Sequence, residues 1–309
     1  MPQATQNEGG SRTTVATSVL SLINRPCLTE SGPLRSVSQY CWPRGRSGSL
    51  IAGGAAAMAV AALNLVSGAG PRFFVEFTGA GGTQRRESLT ACVTERFENA
   101  LPVRSFQWAK GVSHFPGSWW SSTTGDHVGF ESWLERDHVM AMDFDPAIVG
   151  IASQPFWLHW RDEDGRARRH APDFFVRRSD GSGLVVDVRP DDRIPAKDAE
   201  VFRMTAMACG QAGWEFRRAG TIDPVVRANI RWLSRYRHQR CGREPAAAEL
   251  LESFTPGMPL LTGAAQVGDP VAVLPVAYHL LWRRELACDM SVLLGSASMA
   301  WRVPGGAVQ

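Results

Sequence analysis

Apolar and polar positions show no sustained period over residues 1–70, where Ser, Thr, Gly, Ala and Pro dominate, so this stretch is expected to be a disordered tail. From PRFFVEFTG (71–79) onward, apolar runs alternate with turn signals. The aromatic segment 105–129, bounded by Pro and Gly, predicts short strands and a hairpin. In FESWLERDHVMAMDFDP (130–146), Phe130, Trp133, Leu134, Met140 and Ala141 follow helical spacing and Pro146 sets the stop. Residues 148–160 read as one extended segment and 161–170 as a charged turn. PDFFVRRSDGSGLVVDVRP (172–190) predicts a hairpin around DGSG, and its second strand, LVVDV, is apolar enough to be buried. Helices are expected over 195–213, between Pro195 and Gly213, and over 223–238, with a short strand (214–218) between them.

The order helix, three strands, helix, strand describes one α/β domain over 71–240, a mixed sheet flanked by helices. Beyond it, 245–254 and 271–286 predict helices and 288–303 a β-ribbon. Residues 241–309 are therefore expected to form a small winged-helix-like C-terminal module.

Composition changes this picture little. A hydrophobic content of 44% with 20% charged residues describes an ordinary globular chain of 309 residues, and a net charge of +3 names no partner. Of 33 basic residues only Lys110 and Lys197 are lysine, so an arginine alone says little about a guanidinium-specific role. The six cysteines are scattered without a C-x-x-C pair, which argues against a zinc site or disulfide framework and suits a reducing cytoplasm. LIAGGAAAMAVAAL (50–63) is shorter than the ~20 residues that span a bilayer. It reads as part of an over-long N-terminal extension, with Met58 a possible true first residue, and no membrane association is expected.

The hairpin carries the candidate chemistry. Strand side chains repeat every two residues, so Asp187 and Arg189 point the same way. Asp173 is expected diagonally across from Asp187, at roughly 7–8 Å. Two carboxylates at that spacing can share a hard divalent cation, which takes oxygen ligands and keeps several waters. Glu131, Glu135 and His138 fall on one helical face, and Glu135 is a candidate third carboxylate. An Asp–Arg pair in a strand is equally compatible with a plain salt bridge.

The run FESWLERD…DFDP…QPFWLHW…RARRHAPDFFV…GLVVDVRP…GWEFRR (within 72–240) resembles the TnsA-like heteromeric transposase endonucleases in order and spacing. The resemblance implies a restriction-endonuclease-like core with a P-D…(D/E/Q)-x-K site. On it, Glu135 matches the helix glutamate, with Glu131 as alternative, Asp173 the P-D aspartate and Asp187 the second acidic position. Together these would hold Mg²⁺ or Mn²⁺. Gln154 matches the Q-P glutamine, structural or near the site. Arg189 stands where the pattern has lysine; it can hold a phosphate but is never deprotonated. Lys197 is a possible substitute. The implied function is a metal-dependent endonuclease subunit that cuts the 5′ strands at transposon ends. Its implied partners are double-stranded DNA, a DDE-type transposase subunit and an AAA+ ATPase regulator, in the cytoplasm at the nucleoid. The alternatives are a catalytically inactive DNA-binding or assembly subunit of the same complex, and an independent restriction-type nuclease.

For DNA contact, Arg227, Arg231 and Arg235 recur at four-residue steps, followed by Arg237, Arg240 and Arg243, a ridge suited to phosphates. Arg166, Arg168 and Arg169 are a second candidate group, and His170 a further one. Trp119, Trp120 and Trp133 are expected in the core, and His138 is expected to be packed or solvated. The alternative to the arginine ridge is a solvated amphipathic helix with Trp232 in the core.

Overall fold

A computed structural model describes residues 72–105, 115–192 and 194–304. The readings of 1–70 and of 106–114 lie outside the described residues. The chain runs β1 (Phe74–Thr78), β2 (Gln84–Ser88), β3 (Gly117–Trp120), β4 (His127–Phe130), α1 (Trp133–Phe144), β5 (Ile148–Ser153), β6 (Trp157–Arg161), β7 (Ala167–His170), β8 (Phe174–Arg178) and β9 (Gly183–Val188). It continues through α2 (Ala196–Ala212), β10 (Glu215–Ala219), α3 (Pro224–Leu233), α4 (Ala246–Ser253), β11 (Met258–Pro259), α5 (Leu260–Val267), α6 (Pro270–Trp282), β12 (Leu286–Cys288) and β13 (Met299–Arg302).

The expected helix–strand–strand–strand–helix–strand order is present. Its sheet has the order β10-β9-β8-β5, with β8 antiparallel to both neighbours and β10 parallel to β9. A parallel neighbour needs a crossover, and α2 supplies it, ending where Gly213 takes a left-handed φ of 73°. One face of the sheet packs Phe174, Val176, Leu184, Val186 and Val188 against Val139 and Met142 of α1. The other packs Phe175 and Val185 against Met204, Ala208 and Cys209 of α2. That second core continues into Val75, Phe77, Leu158 and Trp160 of another sheet, of order β2-β1-β6-β7.

This second sheet corrects the reading of 148–170. The extended segment breaks at Gln154, whose φ is +47°, and its second half joins a different sheet as β6. The charged run is a tight turn, closed by Arg166 N–H donating to Asp162, and then an edge strand, β7. β7 has no apolar alternation because three of its four residues face solvent. Among the other helices, α3 is shorter than expected and passes into a 3₁₀ turn at Ser234–Tyr236, while α5 was not foreseen. The C-terminal ribbon has a third strand, in the order β11-β13-β12. Trp133 is 52% exposed, stacked on Phe115 and Arg136, and Trp232 is 40% exposed, so neither is a core residue.

Two buried carboxylates anchor α1. Asp143 accepts from Trp119 Nε1 (2.9 Å), Ser121 Oγ (2.8 Å) and the N–H groups of Ser122 (3.1 Å) and Thr123 (2.8 Å), which fixes the β3–β4 turn to the helix. Asp137 meets Arg136 (2.7 Å), Arg231 (3.1 Å) and Arg227 (3.7 Å), tying α1 to α3. Met140, Ala141 and Phe144 of α1 also enter the core formed by α3 to α6. Among the described residues no single helix is long and apolar enough to cross a membrane; α5 and α6 together pass on length and composition but are bent by 119°.

Asp143→Ala removes the acceptor for five donors at once, Ser122 Oγ (3.2 Å) being the fifth. It is expected to destabilise the protein by at least about 2 kcal/mol, read as a lower urea midpoint, with Asp143→Asn intermediate.

Candidate functional site

The hairpin closes through Asp180 and Gly181, the glycine at φ 84°, with Phe174 opposite Val186 and Arg177 opposite Gly183. One step beyond that register Asp173 stands directly opposite Asp187, not diagonally across as expected. The difference comes from where the turn closes. Alternation along β9 sends Leu184, Val186 and Val188 toward α1, and Val185 and Asp187 toward α2 and the second sheet. Asp187 is therefore a carboxylate in an apolar layer, 2% exposed.

The segment His170–Asp173 holds it there. His170 Nε2, at the end of β7, donates to both oxygens of Asp187, each at 2.9 Å. Asp173 N–H donates to Asp187 Oδ1 at 3.3 Å. Asp173 Oδ2 in turn accepts from Val188 N–H at 2.7 Å. Residue 173 as a whole keeps partial exposure, but its carboxyl group lies in dense protein. Burial first, then the charges of Asp187 and Glu135, push its pKa well above the usual carboxylate range; the Val188 N–H and Arg189 pull it down less.

Glu135 comes from the opposite face of the sheet, on α1. Glu131 precedes the helix and does not share its face. The local pattern S-x-x-E is a capping box: Glu135 N–H donates to Ser132 Oγ (3.2 Å), and the Glu135 carboxylate accepts from Ser132 Oγ (2.8 Å) and Glu131 N–H (2.7 Å). Glu131 itself pairs with Arg104 at 2.6 Å. Burial raises the pKa of Glu135 despite these hydrogen bonds.

Arg189 is 52% exposed and pairs with Asp198 in the first turn of α2, at 3.3 Å. Lys197 is exposed. Gln154 lies at the break after β5, its N–H donating to Asp173 O at 2.9 Å. Its side-chain amide is buried, and among the described residues neither the oxygen nor the nitrogen finds a hydrogen-bond partner. A non-glycine residue at positive φ with an orphaned amide is uncommon, and it sits against the backbone of Asp173.

Asp173 and Asp187 offer oxygen donors only, crowded so that Asp173 resists ionisation. That chemistry fits a hard divalent cation, which is commonly held by one or two carboxylates and completes its shell with water and phosphate. Among the described residues, no three His, Cys, Asp or Glu side chains gather closely enough to hold an ion. The described side chains therefore supply a pair of carboxylates, with Glu135 as a charge beside Asp173.

The arginines divide into two groups. Arg227 and Arg231 reach the buried Asp137, and Arg237 is half-buried, 4.2 Å over Trp119 and donating to Trp120 O at 2.9 Å. Arg235 lies over Trp232, while Arg240 and Arg243 line a cavity of about 320 Å³ with Val271 and Pro275. In the charged turn, Arg166 pairs with Asp164, Arg168 with Asp162, and Arg169 covers Trp157. Trp120 stacks on His238, and His138 is buried against Gly220 O at 2.7 Å. The contact that sequence reasoning missed is His170 on Asp187. The only sequence signal for it was the closeness of His170 to Asp173.

Residues 145–219, from the end of α1 through β10, match the family model of the TnsA-like endonuclease N-terminal domain. The matched span holds Gln154, His170, Asp173, Asp187, Arg189 and Lys197, and stops short of Glu131 and Glu135. No curated protein matches the chain.

The raised pKa of Asp173 makes stability fall with pH. Its folded-state pKa lies above the unfolded value of about 3.9, so the native protein holds the proton more tightly. The stability this contributes is fully present below the unfolded pKa and is lost as pH rises through the folded one. In EDTA, Asp173→Asn is expected to raise Tm at pH 7.5 by roughly 2–4 °C, the shift that about 1 kcal/mol makes in a domain of this size. The gain should vanish near pH 4. A gain that is the same at both pH values contradicts the assignment.

Proposed function

We propose that this chain, whose residues 145–219 form a TnsA-like endonuclease N-terminal domain, is a metal-dependent DNA endonuclease subunit of a heteromeric transposase. The observation that carries this reading lies inside that domain: Asp173 and Asp187 are crowded at adjoining strand ends, and Asp173 is kept from easy ionisation by burial and by its neighbour. Asp173 and Asp187 would hold Mg²⁺ or Mn²⁺, with Glu135 adding negative charge beside Asp173. When bound, the cation supplies a more acidic water and neutralises charge on the scissile phosphate.

The chain's own residues do the rest. His170 and the Asp173 N–H fix the direction of the Asp187 carboxylate. Arg189, near enough to lower the pKa of Asp173, grips a phosphate when it exchanges Asp198 for substrate. It supplies no base, because a guanidinium keeps its proton. The duplex lies along exposed arginines, with Arg235, Arg240 and Arg243 freer for phosphate than Arg227, Arg231 and Arg237.

The sequence α1-β5-β8-β9-α2-β10 supports a restriction-endonuclease-like core, and the helices α3–α6 followed by a small sheet support a winged-helix-like C-terminal module. The reading carries with it the 5′ strands of transposon ends as substrate, a DDE-type transposase subunit as partner and an AAA+ ATPase as regulator. One observation favours a second reading, a catalytically inactive assembly subunit: the residue in the lysine position is an arginine already paired with Asp198.

Nicking of duplex transposon-end DNA in the presence of the transposase partner separates the two. Wild type is expected to nick with Mg²⁺ or Mn²⁺ and to stop in EDTA. Asp173→Ala should lose more than the ~10–100-fold that removal of an outer-shell partner costs. Nicking that survives Asp173→Ala removes the site. An inert wild type with an active Arg189→Lys establishes the second reading.

A further inference from the structure

We infer that His170 is a positioning residue of this site: its imidazole, delivered from the neighbouring sheet, sets the orientation of the Asp187 carboxylate for the cation. The inference rests on the reading of Asp173 and Asp187 as the ion-holding pair. His170 stands on β7, the edge strand of the second sheet, opposite Leu158. Only Ala171 and Pro172 separate it from Asp173, which opens the core sheet. Ala171 is buried and precedes a proline, so its backbone is restricted to extended conformations. The link is therefore short and stiff, and one four-residue segment brings two donors to a single acceptor, the His170 imidazole and the Asp173 N–H.

Nε2 is equidistant from the two Asp187 oxygens, at 2.9 Å. It thus bridges the two oxygens and fixes where the carboxylate points, while the off-axis Asp173 N–H opposes rotation about the terminal torsion, which is otherwise broad. Asp173 N–H engages Oδ1 as well, leaving Oδ2 with fewer protein partners and lone-pair capacity for an ion. A ligating carboxylate held by hydrogen bonds in this way meets the cation with its orientation already paid for.

The contact is also selective in place. Asp187 is almost fully buried, while the imidazole keeps 22% of its surface exposed. The two arginines before His170 on β7 are engaged elsewhere, Arg168 with Asp162 and Arg169 over Trp157.

Mn²⁺ binding to the full-length protein, followed by electron paramagnetic resonance of the free ion, tests this without requiring turnover. His170→Ala is expected to weaken Mn²⁺ affinity by ~10–100-fold and to lower Tm, because it leaves the buried Asp187 carboxylate underpaired. His170→Gln, which keeps an N–H at similar reach, should restore most of the affinity. If His170→Ala does not fold, His170→Phe fills the space without a donor and carries the same expectation. Binding abolished by Asp187→Ala but unchanged or tighter in His170→Ala overturns the role of His170 and leaves the ion site standing. Wild-type protein that takes up no Mn²⁺, or Asp187→Ala that binds as wild type does, removes the ion site and this role together.

Discussion

Two carboxylates set side by side in a protein interior repel each other and lose hydration, and folding must overcome both costs. Asp173 and Asp187 are such a pair, at the point where β8 begins and β9 ends, and the raised pKa of Asp173 is the local measure of the cost. Nothing in the packing requires it. Alternation along β9 would accept an apolar residue at 187 as readily as Val185, and replacement of buried charges by apolar groups is often neutral or stabilising. An expense of this kind at adjoining strand ends points to function.

The rest of the structure surrounds that pair. The core sheet sets the register that brings 173 opposite 187. The second sheet covers the α2 face and sends His170 to Asp187. α1 covers the other face, and its capping box holds Glu135 where its charge is felt by Asp173. The helix that carries Glu135 is in turn tied on one side by Asp143 to the β3–β4 turn and on the other by Asp137 to α3. Gln154, strained and with an orphaned amide, abuts the backbone of Asp173 at the same place.

Much of the core was legible in the sequence because its signals are local. LVVDV reads as a buried strand, Pro195 and Gly213 bracket α2, and DGSG marks the hairpin, all within a few residues. What escaped was set by tertiary partners. β7 is polar and exposed and has no period of its own; it exists because β6 pairs with it. Residues 148–160 looked like one strand because a change of sheet leaves only Gln154–Pro155 as a mark. Trp133 and Trp232 carried core-like identity but lie at the surface under arginines. In the site, the acids were visible as residue types, and the capping role of Glu135 was signalled locally by S-x-x-E. The opposed register and the histidine on Asp187 were not legible, since each depends on segments brought together by folding.

Diffraction from crystals soaked in Mn²⁺, with data collected at the manganese edge, tests the central claim most directly. The account predicts an anomalous peak between Asp173 and Asp187, about 2.1 Å from an oxygen of each. Data that show both carboxylates ordered and no peak between them, or manganese bound only elsewhere on the chain, would contradict it.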